Sequence, residues 1–330
     1  MQTTKFILAS RASPLALQQA NWVRSELERL VAGCRVEIQR VRTTGDRMRQ
    51  APLAQIGGKG LFTKEIEEAL FDGRAHFAVH SLKDLPTDLP EGLTLAAIPA
   101  REDTRDALIS RSGQPLGELG REARVGTGSV RRAAQLKRLR PDLRIEPLRG
   151  NLDTRLRKLR EGPLDAIVLA AAGLRRLGLA DQITEYFDQQ SLCPAVGQGA
   201  LGIEARAGDE DTLRVLAALE DPWARMTITA ERSLLQRLGG GCQVPIAAYA
   251  HRQQESICLT AIVIRPDGSQ WCTDTECSPL RIAEGDGERQ RETAEALGRK
   301  VAENLLEQGA GKILQEVLQD ETAFPSPQTP

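Results

Sequence analysis

Residues 5–9 (KFILA) form a short apolar run that turns through Ser10, Arg11 and Ala12 into Ser13-Pro14, an N-cap followed by proline at the first helical position. Leu17, Val23, Leu27, Leu30 and Val31 then recur at helical spacing and predict an amphipathic helix. Residues 36–41 read as a second strand, Gly57-Gly58-Lys59-Gly60 as a mobile loop, 62–71 as a helix ended by Gly73, and 75–80 as a strand. The alternation repeats: a strand near Val125, a helix over 129–139 stopped by Pro141, a strand near Ile145, a helix over 151–160 and a buried strand at 165–170 (DAIVLA). Such a pattern predicts parallel, helix-covered sheets, and ordinary domain size divides them into two α/β lobes. After Pro222 the pattern changes. Strands over 257–264 and 270–276, joined by Pro266-Asp267-Gly268, precede helices over 289–308 and 311–318 and predict a smaller α+β domain. The polar, proline-rich end reads as a disordered tail.

Composition adds class and limits. The 330 residues suffice for two or three domains, and 41% hydrophobic with 27% charged residues is the balance of a soluble globular protein. Basic residues (44) offset acidic ones (45), so no whole-protein field for nucleic acid is indicated. Locally, residues 121–160 hold thirteen Arg or Lys against four Asp or Glu, which points to an anionic partner or to a solvated helix face. That stretch contains no aromatic residue for base stacking. No signal peptide or membrane span is expected, and the six cysteines, without CxxC spacing, read mostly as free thiols of a cytoplasmic protein.

Candidate chemistry clusters at β-to-α turns. Three carry arginine at a helix N-terminus: Arg11 to Pro14, Gly126 to Arg132, and Arg149-Gly150-Asn151. Unpaired N–H groups and the helix dipole favour anions there, and guanidinium forks suit carboxylates, although each arginine taken singly fits an ion pair within the fold. Arg155 and Arg176 lie on following helices. His80-Ser81-Leu82-Lys83-Asp84 closes a strand, where α/β folds place ligands, so Lys83 and Asp84 are either a surface ion pair or a working carboxylate and ammonium. His76 and His80 are spaced for a metal, but no further ligand cluster supports one. Gly239-Gly240-Gly241-Cys242 offers a thiol on a glycine loop, a candidate nucleophile or attachment point.

RASPLAL (11–17), GGKGLFTKE (57–65), AVHSLKDLP (78–86), VGTGSVRR (125–132), LRGNLDTRLRKL (148–159), PAVGQGALGIE (194–204) and GGGCQVP (239–245) run in this order over about the first 250 residues. Together they resemble the hydroxymethylbilane synthase (porphobilinogen deaminase) family closely. The resemblance implies two lobes like type 2 periplasmic binding proteins: domain 1 at 1–99 with 200–219, domain 2 at 100–199, and an α+β domain 3 at 220–330 with a disordered tail from about 320. It implies a transferase that condenses four porphobilinogen molecules, releasing ammonia, into hydroxymethylbilane in haem biosynthesis. The dipyrromethane cofactor would be covalently attached to Cys242, with Asp84 as acid/base and Lys83 beside it. Ser81, Lys83, Asp84, Thr127 and Ser129 would contact the cofactor, as would Arg131, Arg132, Arg155, Gln198 and Gly199. Arg11, Ser13, Arg149, Arg155 and Arg176 would bind substrate carboxylates, with Lys59 and Phe62 on a lid. The implied partner is porphobilinogen, with no nucleic acid, membrane or metal; the enzyme would be a monomer handing its product to uroporphyrinogen-III synthase. The family commonly has serine where this chain has Gly128. Two rivals differ in kind. A solute-binding module of the same architecture needs neither Cys242 on glycines nor Asp84, and a nucleic-acid binder would show steep salt dependence.

Overall fold

The computed structural model describes residues 4–44, 63–239, 244–280 and 285–319. Lys59, Phe62, Cys242 and the tail from residue 320 lie outside them. β1 (Thr4–Arg11) is an interior strand of the first sheet, with Leu8 and Ala9 fully buried. The Ser13 hydroxyl caps α1 (Pro14–Leu30) by accepting from the Ala16 N–H at 3.3 Å, and Val23 and Leu27 bury its inner face. Gly33, at φ 77°, makes the turn into β2 (Cys34–Val41), which lies parallel to β1. α2 (Lys64–Phe71), β3 (Phe77–Ser81) and β4 (Leu93–Ala97) follow.

The chain then crosses to a second sheet of β5 (Asp106–Ser110), β6 (Arg124–Thr127), β7 (Arg144–Pro147), β8 (Ala166–Ala170) and β9 (Glu185–Tyr186). Its helices are α3 (Val130–Leu139), α4 (Leu152–Glu161) and α5 (Ala171–Arg176). A second crossing returns the chain to the first sheet as β10 (Leu201–Arg206), followed by α6 (Glu210–Leu216). The strand orders are β2-β1-β3-β10-β4 and β7-β6-β8-β5-β9, one arrangement used twice. This is the two-lobed α/β architecture expected from the sequence, with the same strand order in both lobes. One expectation is corrected: the sheets are mixed, because β5 and β10 run antiparallel to their neighbours. Each is the first strand after a crossing. It enters at the edge where the parallel strands finish, so it must run back.

α7 (Pro222–Arg237) opens the third unit with Asp221 as N-cap and Pro222 in the first turn. β11 (Ile246–Gln253), β12 (Ser256–Ile264) and β13 (Trp271–Pro279) form an antiparallel meander, packed by α8 (Gly287–Glu307) and α9 (Ala310–Gln319). Ala230 and Leu234 of α7 and Leu297 and Val301 of α8 share a buried core with this sheet. Ala224 and Ile228, on another face of α7, pack on Leu82, Leu85 and Ile98 of the first lobe. Truncating a fully buried side chain such as Ile228 to alanine typically costs about 2–5 kcal/mol, so the third unit is firmly docked. The hairpin tip at Gly268 (φ 77°) touches α3, where a Cβ would lie 2.7 Å from the Arg138 amide nitrogen. The free-thiol reading is corrected for one pair: Cys258 and Cys277 face each other across β12 and β13 and form a disulfide.

Candidate active site

In the first sheet β1 finishes at Arg11 and β3 at Ser81, while β10 starts beside Ser81 with Leu201. In the second, β6 finishes at Thr127, β7 at Pro147 and β8 at Ala170, which pairs with Asp106 at the head of β5. The turns at these carboxyl ends therefore carry nearly every residue singled out in the sequence. Arg11 and Ser13 follow β1, Lys83 and Asp84 follow β3, Arg131 and Arg132 follow β6, Arg149 and Arg155 follow β7, and Arg176 follows β8. Topology places them all at strand ends, and Lys83 and Asp84 of the first lobe interact electrostatically with Arg131, Arg132 and Arg155 of the second.

The Asp84 turn is built from both sides. Gln19, buried on α1, donates to the Ser81 hydroxyl at 3.0 Å, and the Leu82 N–H donates to the Ala200 carbonyl at 3.1 Å. Leu82 and Leu85 are buried, which leaves Lys83 half-buried and Asp84 exposed. Gly197 (φ 72°) lets the second crossing lie on this turn, where a Cβ would stand 3.2 Å from the Lys83 nitrogen. Burial pushes the Lys83 ammonium down to about 8; Asp84 and Asp106 oppose that shift, while Arg132 and Arg131 add to it. Lys83 and Asp84 thus share one electrostatic site with the second lobe.

Arg131 and Arg132, at the start of α3, are buried against Asp106. Arg131 Nη2 donates to Asp106 Oδ2 at 2.7 Å, and Arg132 donates to Oδ1 through Nε at 2.9 Å and Nη2 at 2.7 Å. Gln198 adds a bond from Nε2 to the same Oδ1 at 2.9 Å. Burial opposes ionisation of Asp106, but the two guanidiniums win and hold its carboxyl down to about 2. The first anion these arginines meet is therefore the protein's own. Asp106 was not anticipated, although a lone acid heading the wholly buried strand DALIS is the signal that marks it.

Ser129 caps α3 by accepting from the Arg132 N–H, and Thr127 accepts from the Ser129 N–H at 3.2 Å. In both, the hydroxyl hydrogen is left to point at an acceptor. Arg155 Nε donates to the Gly150 carbonyl at 2.9 Å. Burial, then Arg132, push its guanidinium down to about 10, with Asp84 opposing and Arg149 adding to the shift. Arg176 Nη2 donates to the Gly199 carbonyl at 2.7 Å, and burial lowers its pKa. Gly199 (φ 87°) is irreplaceable in kind, since a Cβ would sit 2.3 Å from the Glu102 carbonyl oxygen. At Gly128 a Cβ would meet the Leu148 carbonyl oxygen at 2.6 Å.

Within this set Lys83, Arg131, Arg132, Arg149 and Arg155 outnumber Asp84 and Asp106, and burial depresses Lys83, Arg131 and Arg155 alike. Crowded, desolvated cations of this kind fit a ligand bearing several carboxylates, which is the chemistry of a dipyrromethane group. The free cysteines among the described residues offer no competing attachment point. Cys34, Cys193 and Cys272 are buried, and burial raises all three thiols, Cys193 to about 12. The histidines are structural: His76 Nδ1 accepts from the Ile7 N–H at 2.9 Å, and His80 Nε2 lies 2.9 Å from Glu204 in the core. Among the described residues no His/Cys/Asp/Glu cluster could hold a metal, and no helix is long and apolar enough to cross a membrane.

A second hub holds the chain crossings. Glu231 of α7 is fully buried and accepts from Arg101 Nη1 at 2.7 Å and Nη2 at 3.1 Å, from the Gly197 N–H at 2.7 Å, and from the Ala250 N–H at 2.8 Å. Arg101 lies on the first crossing and Gly197 on the second. Glu231 was not anticipated, because α7 itself was not.

Two family models cover most of the chain. "Porphobilinogen deaminase, dipyromethane cofactor binding domain" matches residues 6–214, and "Porphobilinogen deaminase, C-terminal domain" matches residues 225–307. A porphobilinogen deaminase of Syntrophotalea carbinolica is 48% identical over 95% of this chain and 96% of its own length. One of Roseiflexus sp. is 50% identical over 93% and 98%. Among solved structures, the methionine-binding protein MetQ aligns at 13% identity over 65% of this chain and 89% of its own, with a TM-score of 0.42.

Proposed function

The chain belongs to the porphobilinogen deaminase family, and from that membership we infer how its own residues divide the work. The reaction is the transferase step that joins four porphobilinogen molecules head to tail, with loss of ammonia, into hydroxymethylbilane for porphyrin and haem biosynthesis. Its cofactor is dipyrromethane.

When bound, that group supplies the pyrrole carbon to which the first substrate ring is joined. Each condensation breaks a C–N bond, forms a C–C bond, and moves one proton from the acceptor carbon to the departing amine. A carboxyl group that gives a proton to the departing amine and then, as carboxylate, takes one from the acceptor carbon closes the balance without an external acid or base. Asp84 is that carboxylate. It stands exposed on a turn buried at both ends, beside an ammonium and opposite guanidiniums, and it accepts the pyrrole N–H where positive charge develops. Lys83, poised at about 8, balances Asp84 and attracts a ring carboxylate.

The covalent attachment point is Cys242, supported by the three glycines that precede it and by the burial of the free thiols among the described residues. Arg131, Arg132, Arg155, Thr127 and Ser129 hold the cofactor's carboxylates, together with Ser81, Gln198 and Gly199. Arg11, Ser13, Arg149, Arg155 and Arg176 receive those of incoming rings, and the family resemblance adds Lys59 and Phe62 to the substrate-binding residues. The division into domain 1 (1–99, 200–219), domain 2 (100–199) and domain 3 (220–330) is supported by the two crossings and the separate third sheet. We place the enzyme in the cytoplasm as a monomer that hands its product to uroporphyrinogen-III synthase.

The observation that carries this reading is the placement of Lys83 and Asp84 at the end of β3, where Arg131 and Arg132 of the other lobe act on Lys83 and Asp84 acts on Arg155. Denaturing intact mass spectrometry after brief exposure to limiting porphobilinogen tests it. Evenly spaced adducts confined to the Cys242 peptide are expected. A single unmodified mass would leave a two-lobed binding module as the better account.

A further inference from the structure

The backbone just after Asp84 has no ladder or helix to hold it. Residues 85–90 form bends only, and three successive carbonyls, Leu85, Pro86 and Thr87, converge on one cation. Arg232 of α7 donates to Leu85 through Nη1 at 3.2 Å, and through Nη2 to Pro86 at 2.6 Å and Thr87 at 3.0 Å. Carbonyl dipoles pointing together repel one another, so this curl needs a buried donor with a planar fork. One turn along, Gln236 Nε2 donates to Asp88 Oδ1 at 2.9 Å, and one turn back Ile228 packs on Leu82 and Leu85. The Arg225, Ile228, Arg232 and Gln236 face of α7 therefore lies along the first lobe from β4 to the Asp84 turn. Arg225 reaches the Leu95 carbonyl at 3.0 Å.

We infer that Arg232 is a positioning residue for the reaction: from the third unit it fixes the segment after Asp84, and so the place of the carboxylate in the cleft. The inference rests on the reading of Asp84 as the acid/base. The Arg232 guanidinium faces Asp88 and Glu204, which favour its charge, and Arg225, which opposes it, while burial lowers its pKa. Its helix ends at Arg237, five residues before Cys242 in the sequence. The helix that holds the catalytic turn is thus the element next to the attachment residue in the sequence, and chemistry at a fixed primer requires a fixed distance to the proton carrier.

Arg232→Lys keeps the cation but cannot serve three carbonyls at once. In the dipyrromethane-loaded enzyme its kcat should fall about ten- to a hundredfold, the size of effect that small misplacements of reacting groups produce. KM should move less than about twofold, and intact mass should show full cofactor loading. Hydrogen exchange should rise over residues 82–88 and stay at the wild-type level in α7 and β11–β13. Wild-type kcat, unchanged exchange over 82–88, or a rise spread through the whole third unit would each overturn the inference. Should Arg232→Lys not fold, the exposed Gln236→Leu decides: faster exchange over 85–88 with a few-fold loss of kcat supports the clamp, and wild-type values in both reject it. Asp84→Asn separates the two ideas. Full turnover in that variant removes Asp84 from the mechanism, whereas the exchange result still reports on Arg232.

Discussion

Arg132 grips Asp106 with two donors while Arg131 takes the other oxygen, so one buried carboxylate sets the pose of both guanidiniums. Asp106→Asn should cost about 3–5 kcal/mol at pH 7, as when one partner of a buried pair is removed. Apoprotein of the variant should also acquire its dipyrromethane group more slowly. Because the folded-state carboxyl titrates at about 2, below its ordinary 3.8, the charge stabilises the protein above pH about 4. That contribution is lost as pH falls toward 2. Denaturant unfolding at pH 7 and pH 3 should therefore show the gap between wild type and variant narrowing in acid. A constant gap would contradict the assignment.

Lys83 carries the opposite sign. Its folded-state pKa of about 8 lies below the ordinary 10.5, so a charged ammonium at neutral pH opposes folding, and that penalty fades as pH rises above about 8. Lys83→Met should raise stability at pH 7 by about 1–3 kcal/mol while lowering turnover. Calorimetry and initial rates on the same preparation check both halves; a variant that is both less stable and fully active would refute them.

Asp84 is exposed and its turn is anchored by Leu82 and Leu85, so Asp84→Asn should keep the wild-type unfolding midpoint. Turnover should drop at least about 10²-fold, as removal of a general acid/base does. Single-turnover kinetics with porphobilinogen measure the chemical step directly.

Gly128 brings the β6–α3 turn against the Leu148 carbonyl, beside Arg149. Gly128→Ser must displace that carbonyl, at a cost of about 1 kcal/mol. KM should rise a few-fold through Arg149, with kcat little changed. Steady-state kinetics that leave KM untouched would show that the displacement is absorbed elsewhere.

Much of this was legible in the sequence because it is local. Ser13-Pro14 announces α1, Ser129 announces α3, and the apolar run DAIVLA announces β8. The turns at strand ends could be placed in one site because parallel strands finish at one edge. What stayed hidden depends on distant partners. α7 escaped because Arg225, Glu231 and Arg232 interrupt its apolar stripe, and each reaches a partner far away in sequence: β4, the crossings, or the Asp84 turn. The antiparallel sense of β5 and β10 follows from where the chain crosses between lobes, which periodicity does not encode.

Glu231 ties both crossings to the third unit through three hydrogen bonds, and a fourth, from the Ala250 N–H, fixes it to β11. Glu231→Gln should cost about 3 kcal/mol and speed proteolysis within residues 98–105, which limited digestion would reveal. A joint latched at both straps behaves as a stiff spring: wide yawning of the lobes must first break that buried carboxylate free. Room for each added ring must then come from side chains and surface loops giving way within a nearly constant frame.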